Sequence, residues 1–324
     1  MRHSRTYRSI LVPLDGSLLS EQALAVASDL ARRSGTLLRL VHVHVIHSAA
    51  PIFVEGRPVI DEQMQPLGEA HALAYLEGIR DRLASESDLR VAVTVLDPLD
   101  ADVRDQTIPE MLARCAATTD TDLIVMTTHG RGGFARFWLG SVADALARSS
   151  AVPILLVRSD QATEQGHAPD VRKILVALDG STLAEQILEP ARMLGDLSGA
   201  SYTLLHVVEP HLLFRSAPFT TPTDFDADDT QRRQVEAKRD LERVAGRLRA
   251  AGATVSVDVR VAEPVAPAIL DAARDQNVDL VAIATLGRSG LARFLLGSVA
   301  DKVVRGAPVP VLLYRPQAPR LEDT

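Results

Sequence analysis

The sequence predicts an α/β protein of two tandem domains, each a doubly wound unit around a parallel five-stranded sheet. Three observations carry that prediction. First, the chain repeats itself: Ser9-Ile10-Leu11-Val12-Pro13-Leu14-Asp15-Gly16-Ser17 returns as Lys173-Ile174-Leu175-Val176-Ala177-Leu178-Asp179-Gly180-Ser181, Phe137-Trp138-Leu139-Gly140-Ser141-Val142-Ala143-Asp144 returns as Phe294-Leu295-Leu296-Gly297-Ser298-Val299-Ala300-Asp301, and Val152-Pro153-Ile154-Leu155-Leu156 returns as Val309-Pro310-Val311-Leu312-Leu313. A self-match of this kind marks two copies of one structural unit. Second, within each copy short β-branched apolar runs alternate with longer stretches of helical period, the pattern of parallel strands joined by crossover helices. Third, 324 residues, 46% apolar and 24% charged, is ordinary globular composition but more chain than one typical compact unit needs.

In copy one the strands fall at 9–14, 37–45, 90–96, 122–127 and 153–158, and the helices near 20–34, 68–86, 108–118 and 141–149. The first strand is an apolar run closed by Asp15-Gly16-Ser17, turn and N-cap residues for the helix that follows. The fourth runs into the glycine-rich stretch Thr127-Thr128-His129-Gly130-Arg131-Gly132-Gly133, and Gly140-Ser141 opens the last helix. Copy two repeats the plan with strands at 172–178, 201–208, 253–261, 279–284 and 309–314 and helices at 183–198, 228–251, 265–276 and 298–305. The offset between copies is 164 positions at Asp15 and Asp179 but 157 at Gly140 and Gly297, so copy one carries seven more residues, placed around Leu99 to Thr107. Residues 1–158 and 171–324 are then the two domains. Residues 159–170, polar, with Gly166 and Pro169 and no apolar period, read as a linker.

Thirty-five Lys and Arg against 42 Asp and Glu leave a net charge of −7, which repels a nucleic-acid backbone at long range, so nucleic acid is not an expected partner. The single cysteine, Cys115, can form neither an intrachain disulfide nor a thiolate zinc cage, and suits a reducing cytoplasm. Arg2, Arg5 and Arg8 precede an apolar run that Pro13 and Asp15 soon break, so no signal peptide is read. No apolar stretch approaches the roughly 20 residues of a spanning helix. A soluble cytoplasmic protein without a membrane partner is expected.

Doubly wound sheets bind ligands beyond the C-terminal ends of their strands, where strand order reverses, so the residues just after each strand are the candidates. Asp15 and Asp179 have two roles open to them: turn residue, or acceptor for the amino and hydroxyl groups of a nucleoside. The loops at Gly130 and Gly287, followed by Gly140-Ser141 and Gly297-Ser298, combine glycine-rich backbone N–H groups with a helix N-terminus, which suits phosphate. Arg131 and Arg288 add positive charge there; the alternative is a surface loop ahead of a capped helix. A dinucleotide fingerprint is discounted, because Ser289 stands at its middle position in copy two and no acidic residue follows at the required distance. A Walker A loop is excluded, since none of Lys173, Lys238 and Lys302 follows a glycine. His42, His44 and His47 raise the question of a metal site, but only His42 recurs, as His206, which favours other roles and no metal. Cys115 reads as a small core residue. No nucleophile elbow or His-Glu-x-x-His helix is present, and nothing proposes hydrolytic catalysis. The long segments Ile46 to Gln65 and Glu209 to Thr230 read as surface loops and, from their origin at ligand-side strand ends, as candidate lids.

The pairing of Asp15 with a Gly-x9-Gly-Ser loop (Gly130, Gly140, Ser141), repeated at Asp179, Gly287, Gly297 and Ser298, resembles the universal stress protein family, as a tandem member matched over about residues 7–158 and 171–315. The resemblance implies an adenine nucleotide alpha hydrolase-like fold and, as in nucleotide-binding members, ATP on a Gly-x2-Gly-x9-Gly-Ser/Thr loop with magnesium sharing the phosphate charge. Carried over residue by residue, Asp15 and Val43, after His42, meet the adenosine in copy one, and Gly130, Gly140, Ser141 and Val142 the phosphates. Copy two offers Asp179 and Val207, after His206, then Gly287, Gly297, Ser298 and Val299. The chain departs from the motif at its first glycine, where Thr127 and Ala284 stand and a side chain crowds the ribose. Thr127 is branched and stiff while Ala284 adds one methyl group, so copy two is expected to be the less obstructed. Valine at Gly140 or Gly297 is expected to crowd the phosphate and leave the fold largely intact. The last strands, Val152 to Val157 and Val309 to Tyr314, would be apolar open edges and need cover; the resemblance implies that they pair about a pseudo-two-fold axis, with Pro153 and Pro310 at strand starts or non-pairing positions, and it admits a homodimer. The functional reading is an ATP-binding regulatory protein of the stress response, not required to be an enzyme. Two alternatives stay open: a nucleotide-free scaffold, which Thr127 and Ala284 favour, and a slow ATPase, for which no general base stands beside the loop.

Overall fold

The computed structural model describes residues 7–44, 52–54, 57–59, 65–86, 88–98, 106–128, 139–158, 170–210, 227–285 and 296–317. In chain order the elements are β1 (Ser9–Pro13), α1 (Leu18–Glu21), α2 (Ala23–Ser34), β2 (Leu37–Val43), β3 (Ile52–Val54), β4 (Arg57–Val59), α3 (Gln65–Glu86), β5 (Val91–Leu96), α4 (Ile108–Thr118), β6 (Leu123–Thr128), α5 (Ser141–Ser149) and β7 (Ile154–Arg158). Copy two follows with β8 (Lys173–Ala177), α6 (Thr182–Glu185), α7 (Leu188–Asp196), β9 (Ser201–Val208), α8 (Ala227–Ala250), β10 (Thr254–Val261), α9 (Val265–Asp275), β11 (Leu280–Ala284), α10 (Ser298–Gly306) and β12 (Val311–Tyr314).

The shared Asp-Gly-Ser motif builds the turn from first strand to first helix. Gly16 and Gly180 take the left-handed region, at φ 83° and 82°, where a Cβ would be strained. Asp15 Oδ1 accepts from the Ser17 N–H at 3.0 Å and the Ser17 hydroxyl at 2.6 Å, and Ser17 Oγ accepts from the Ser20 N–H at 3.1 Å, capping α1. Asp179, Ser181 and Ala184 repeat these bonds at 2.9, 2.6 and 3.1 Å. Beyond the cap, the single helices expected over 20–34 and 183–198 are each broken into two. The Gln22 N–H donates to Leu19 O and the Gln186 N–H to Leu183 O; such i→i−3 bonds tighten the chain and interrupt the α ladder. A second departure lies in the segment read as a surface loop, where β3 and β4 pair antiparallel with Ile52 opposite Val59. Ile-Phe-Val is β-prone but three residues are too few to stand out by alternation, and Pro58 in the facing Arg-Pro-Val counts against a strand.

Ten strands form one sheet in the order β10-β9-β8-β11-β12-β7-β6-β1-β2-β5. Pairing within each copy is parallel, and β12 meets β7 antiparallel with Leu312 opposite Leu155, flanked by Leu313 opposite Ile154 and Val311 opposite Leu156. Leu155 and Leu312 are the same residue of the repeat, so the axis relating the copies passes between them. Pro153 and Pro310 stand just ahead of their strands, where a missing N–H costs no ladder bond. The arrangement crosses the seam in polar contacts too: Arg158 Nη1 donates to Ala307 O at 3.1 Å, and its repeat equivalent Arg315 Nη1 to Ser149 O at 3.3 Å, each at the C-terminal end of the other copy's last helix.

One apolar cluster joins α2, α3, α7 and α8 to one face of the sheet, and another joins α4, α5, α9 and α10, with Cys115 among them, to the other. Strand order reverses between β1 and β6 in copy one and between β8 and β11 in copy two. The seven surplus residues lie between β5 and α4: Ile108 comes twelve residues after Leu96, whereas Val265 comes five after Arg260, which is the β10 residue matching Leu96. Linker residues 159–169 lie outside the described residues.

Candidate functional site

At the switch point of copy one, the ends of β1, β2 and β6 and the starts of α4 and α5 enclose a cavity of about 430 Å³. It brings together Asp15, Val43, Thr127, Gly140, Ser141 and Val142, which are dispersed over more than a hundred positions of sequence. Copy two forms the matching cavity, about 390 Å³, around Asp179, Val207, Ala284, Gly297, Ser298 and Val299. Gly130 and Gly287, with Arg131, Arg288 and His47, lie outside the described residues, as do residues 211–226 of the second candidate lid.

Each cavity combines three kinds of wall. The apolar part of the first is Leu19, Ile108, Leu112 and Met126, residues that motif reasoning passed over and that only strand ends brought together by the fold could reveal. The acidic part is Asp15. Burial opposes its ionisation, but hydrogen bonds from the Ser17 and Ser20 side chains and from backbone N–H groups prevail and hold its carboxyl below the ordinary value. A carboxylate depressed in the folded state contributes stability above the usual carboxylate range and loses it as pH falls. The stability advantage of wild type over Asp15→Asn is therefore expected to be largest at pH 7 and to shrink as pH falls through about 4, in urea denaturation; a pH-independent difference would show that Asp15 acts only by shape.

The third wall is a helix N-terminus. Gly140 and Gly297 are the N-cap residues of α5 and α10, and neither cap has a side-chain hydrogen bond. The N–H groups of a first helical turn have no intrahelical acceptor and carry the positive end of the helix dipole, and Ser141, Val142 and Ala143 present that turn to the first cavity. The acid in each first turn is paired four residues on, Asp144 with Arg148 and Asp301 with Arg305, which limits its opposition to an anion. His42 is engaged within the fold. Its Nδ1 lies 2.9 Å from Leu14 O, so that nitrogen carries the proton, and its ring meets Tyr75 edge to face at 6.2 Å. Among the described residues no group of three His, Cys, Asp or Glu side chains could hold a metal ion.

Against known proteins, the universal stress protein family matches twice, over residues 6–158 and 170–315. The chain belongs to the universal stress protein family. Full-length relatives are similar end to end: a universal stress protein of Mycobacterium tuberculosis is 28% identical over 335 residues, covering 97% of this chain and 99% of the relative, and one of Mycolicibacterium smegmatis is 26% identical, covering 98% and 100%. Among solved structures, a universal stress protein from Archaeoglobus fulgidus superposes with a TM-score of 0.67 at 20% identity over 95% of this chain and 98% of its own, a likeness of fold.

Two expectations drawn from the family motif need revision. A Cβ on Gly297 would lie 2.8 Å from Thr285 O, a backbone atom, so valine there disturbs the protein itself and not only a ligand. The steric ranking of the two copies also weakens. Ala284 packs with Leu280 and Ala282 on the α7/α8 face of the sheet, while Ile283 faces α9 and α10, and Thr127 holds the equivalent register position after Met126. By strand alternation the side chain at the missing first glycine turns away from the helix N-terminus, so Thr and Ala differ less in their effect than their sizes suggest.

Proposed function

We propose that this chain is a regulatory member of the universal stress protein family that binds an adenine nucleotide in each copy, with binding read out as altered conformation or partner affinity and without need of catalysis. The observation that carries the reading is the convergence, in both copies, of the strand-end aspartate, the residue after the second strand's histidine and the Gly-Ser helix start on one cavity large enough for a nucleoside. Gly297 fits such a role: its N–H donates to Thr285 O at 2.9 Å and a Cβ would strike that same oxygen, so the absent side chain lets the helix start lie close against the strand end. When ATP is bound, magnesium would share the phosphate charge while backbone N–H groups of residues 141–143 and 298–300 and the Ser141 and Ser298 hydroxyls hold the phosphates. Asp15 and Asp179, each fixed by its serine, would accept from the ribose or base. No helix among the described residues is long and apolar enough to cross a membrane, and we place the protein in the cytoplasm, with a homodimer as a further level of assembly.

Calorimetric titration of nucleotide-stripped protein with Mg-ATP tests the reading. Saturable binding is expected, together with adenine nucleotide released on denaturing the protein as purified. Absence of both would favour the nucleotide-free scaffold, consistent with Thr127 and Ala284 in place of glycine.

A further inference from the structure

The last helix of each copy serves one copy at its start and is held by the other at its end. At their starts, α5 presents Ser141, Val142 and Ala143 to the cavity of copy one, and α10 presents Ser298, Val299 and Ala300 to that of copy two. At their ends the copies cross over: Arg315 Nη1 of copy two donates to Ser149 O at 3.3 Å, and Arg158 Nη1 of copy one donates to Ala307 O at 3.1 Å. Ser149 is the last residue of α5 and Ala307 the C-cap of α10. Carbonyls there have no intrahelical donor and carry the negative end of the helix dipole, so a guanidinium suits them.

Each helix is nine residues long, about 13 Å at 1.5 Å per residue, and moves as one short rod. A shift at the arginine end is therefore a shift of the first-turn N–H groups at the cavity end, where hydrogen bonds tolerate little change of length or angle. Packing alone holds these helices loosely along their axes. Helix α5 buries Ala143, Leu146 and Ala147, and α10 buries Ala300, Val303 and Val304; small side chains make shallow ridges that resist sliding weakly. The start of α10 has a further tie, the Gly297 N–H to Thr285 O bond at 2.9 Å, whereas among the described residues no such bond joins Gly140 to the end of β6. Arg315 in turn is firmly placed, one residue past Tyr314, whose carbonyl accepts from the Thr285 N–H at 2.9 Å.

We propose that Arg315 and Arg158 are positioning residues for nucleotide, each acting on the site of the other copy. Arg315 sets α5 against the phosphates in copy one and Arg158 sets α10 against those in copy two, so neither site is complete without its neighbour across the seam. The proposal rests on the nucleotide reading above. Because α5 has the shallower buried face, and only α10 has the strand tie among the described residues, copy one depends on its arginine more than copy two does.

Titration of the full chain, isotope-labelled for NMR, with Mg-ATP and with adenosine tests this, the Ser141 and Ser298 amide signals reporting the two sites separately. Arg315→Met, which keeps much of the side-chain volume and loses the donors, is expected to weaken ATP about fivefold at the site reported by Ser141. The site reported by Ser298 should move less than about twofold. Arg158→Met should show the reverse pattern with a smaller loss, about threefold. Arg315→Lys, which keeps a charged donor at the helix end, should bind ATP within about twofold of wild type. Adenosine, which has no phosphate to meet the helix start, should be affected by none of these variants. Should a Met variant fail to fold by circular dichroism, Arg315→Gln and Arg158→Gln take its place with the same expectation. Unchanged ATP affinity in the variants overturns the proposal and leaves the nucleotide reading intact. Equal weakening at both sites, or equal weakening of ATP and adenosine, reduces the arginines to a general structural role and also overturns it. Absence of ATP binding by wild type removes both readings.

Discussion

Leu155→Ala is expected to lower the free energy of unfolding by about 2–5 kcal/mol, and Leu312→Ala by a similar amount. Both leucines are almost wholly buried, at 2% and 0% exposure, and face each other across the antiparallel seam. Strand β7 and strand β12 would each be an apolar edge without the other, a row of unpaired backbone groups beside exposed Val, Ile and Leu. Polar contacts between the copies cannot substitute. The Arg33–Asp170 pair, with side chains 32% and 42% exposed, belongs to a class worth about 0–1 kcal/mol. Packing at the seam therefore dominates. Because the two side chains share one place in the core, removing both should cost less than the two single losses added together. Urea unfolding of the single and double variants checks this, and a loss under about 1 kcal/mol in either single variant would mean that the copies do not lean on the seam.

What made the fold readable was local. The strands of the main sheet were short runs rich in Val, Ile and Leu, and the Asp-Gly-Ser turn at β1 and β8 forms from residues within a few positions of one another, the aspartate bonding the serine and the serine capping the helix three residues on. The repeat then supplied what one copy could not, since a motif kept at Asp15 and Asp179 and at Gly140 and Gly297 narrows the candidate site to a few strand ends. The unreadable parts depend on packing. The breaks after Glu21 and Glu185 arise from i→i−3 bonds that leave no mark on helical periodicity. The β3–β4 hairpin is three residues on a side.

Gly297→Val is expected to eliminate nucleotide binding in copy two and to destabilise the protein by about 1–3 kcal/mol, the usual range for forcing atoms into a packed site. Backbone conformation is not the obstacle, because Gly297 sits at φ −55° and ψ 141°, open to any residue. Space is. The Thr285 carbonyl that a new Cβ would strike at 2.8 Å is held from both sides: it accepts from Gly297 N–H at 2.9 Å, and the Thr285 N–H in turn donates to Tyr314 O at 2.9 Å in the next strand. A flexible side chain could swing aside; this carbonyl moves only if the end of β11 or the start of α10 moves. Either shift displaces the first-turn N–H groups from the cavity, and they are the groups proposed to hold phosphate. Ser298→Ala supplies the contrast, since it removes a hydroxyl and leaves every backbone N–H where it was; an affinity loss of about fivefold or less is expected, the worth of one ordinary hydrogen bond. Calorimetry with ATP, alongside thermal unfolding of each variant, separates the two effects. Unchanged ATP stoichiometry in Gly297→Val, or a larger loss in Ser298→Ala than in Gly297→Val, would show that the backbone of the α10 N-terminus is not what grips the ligand.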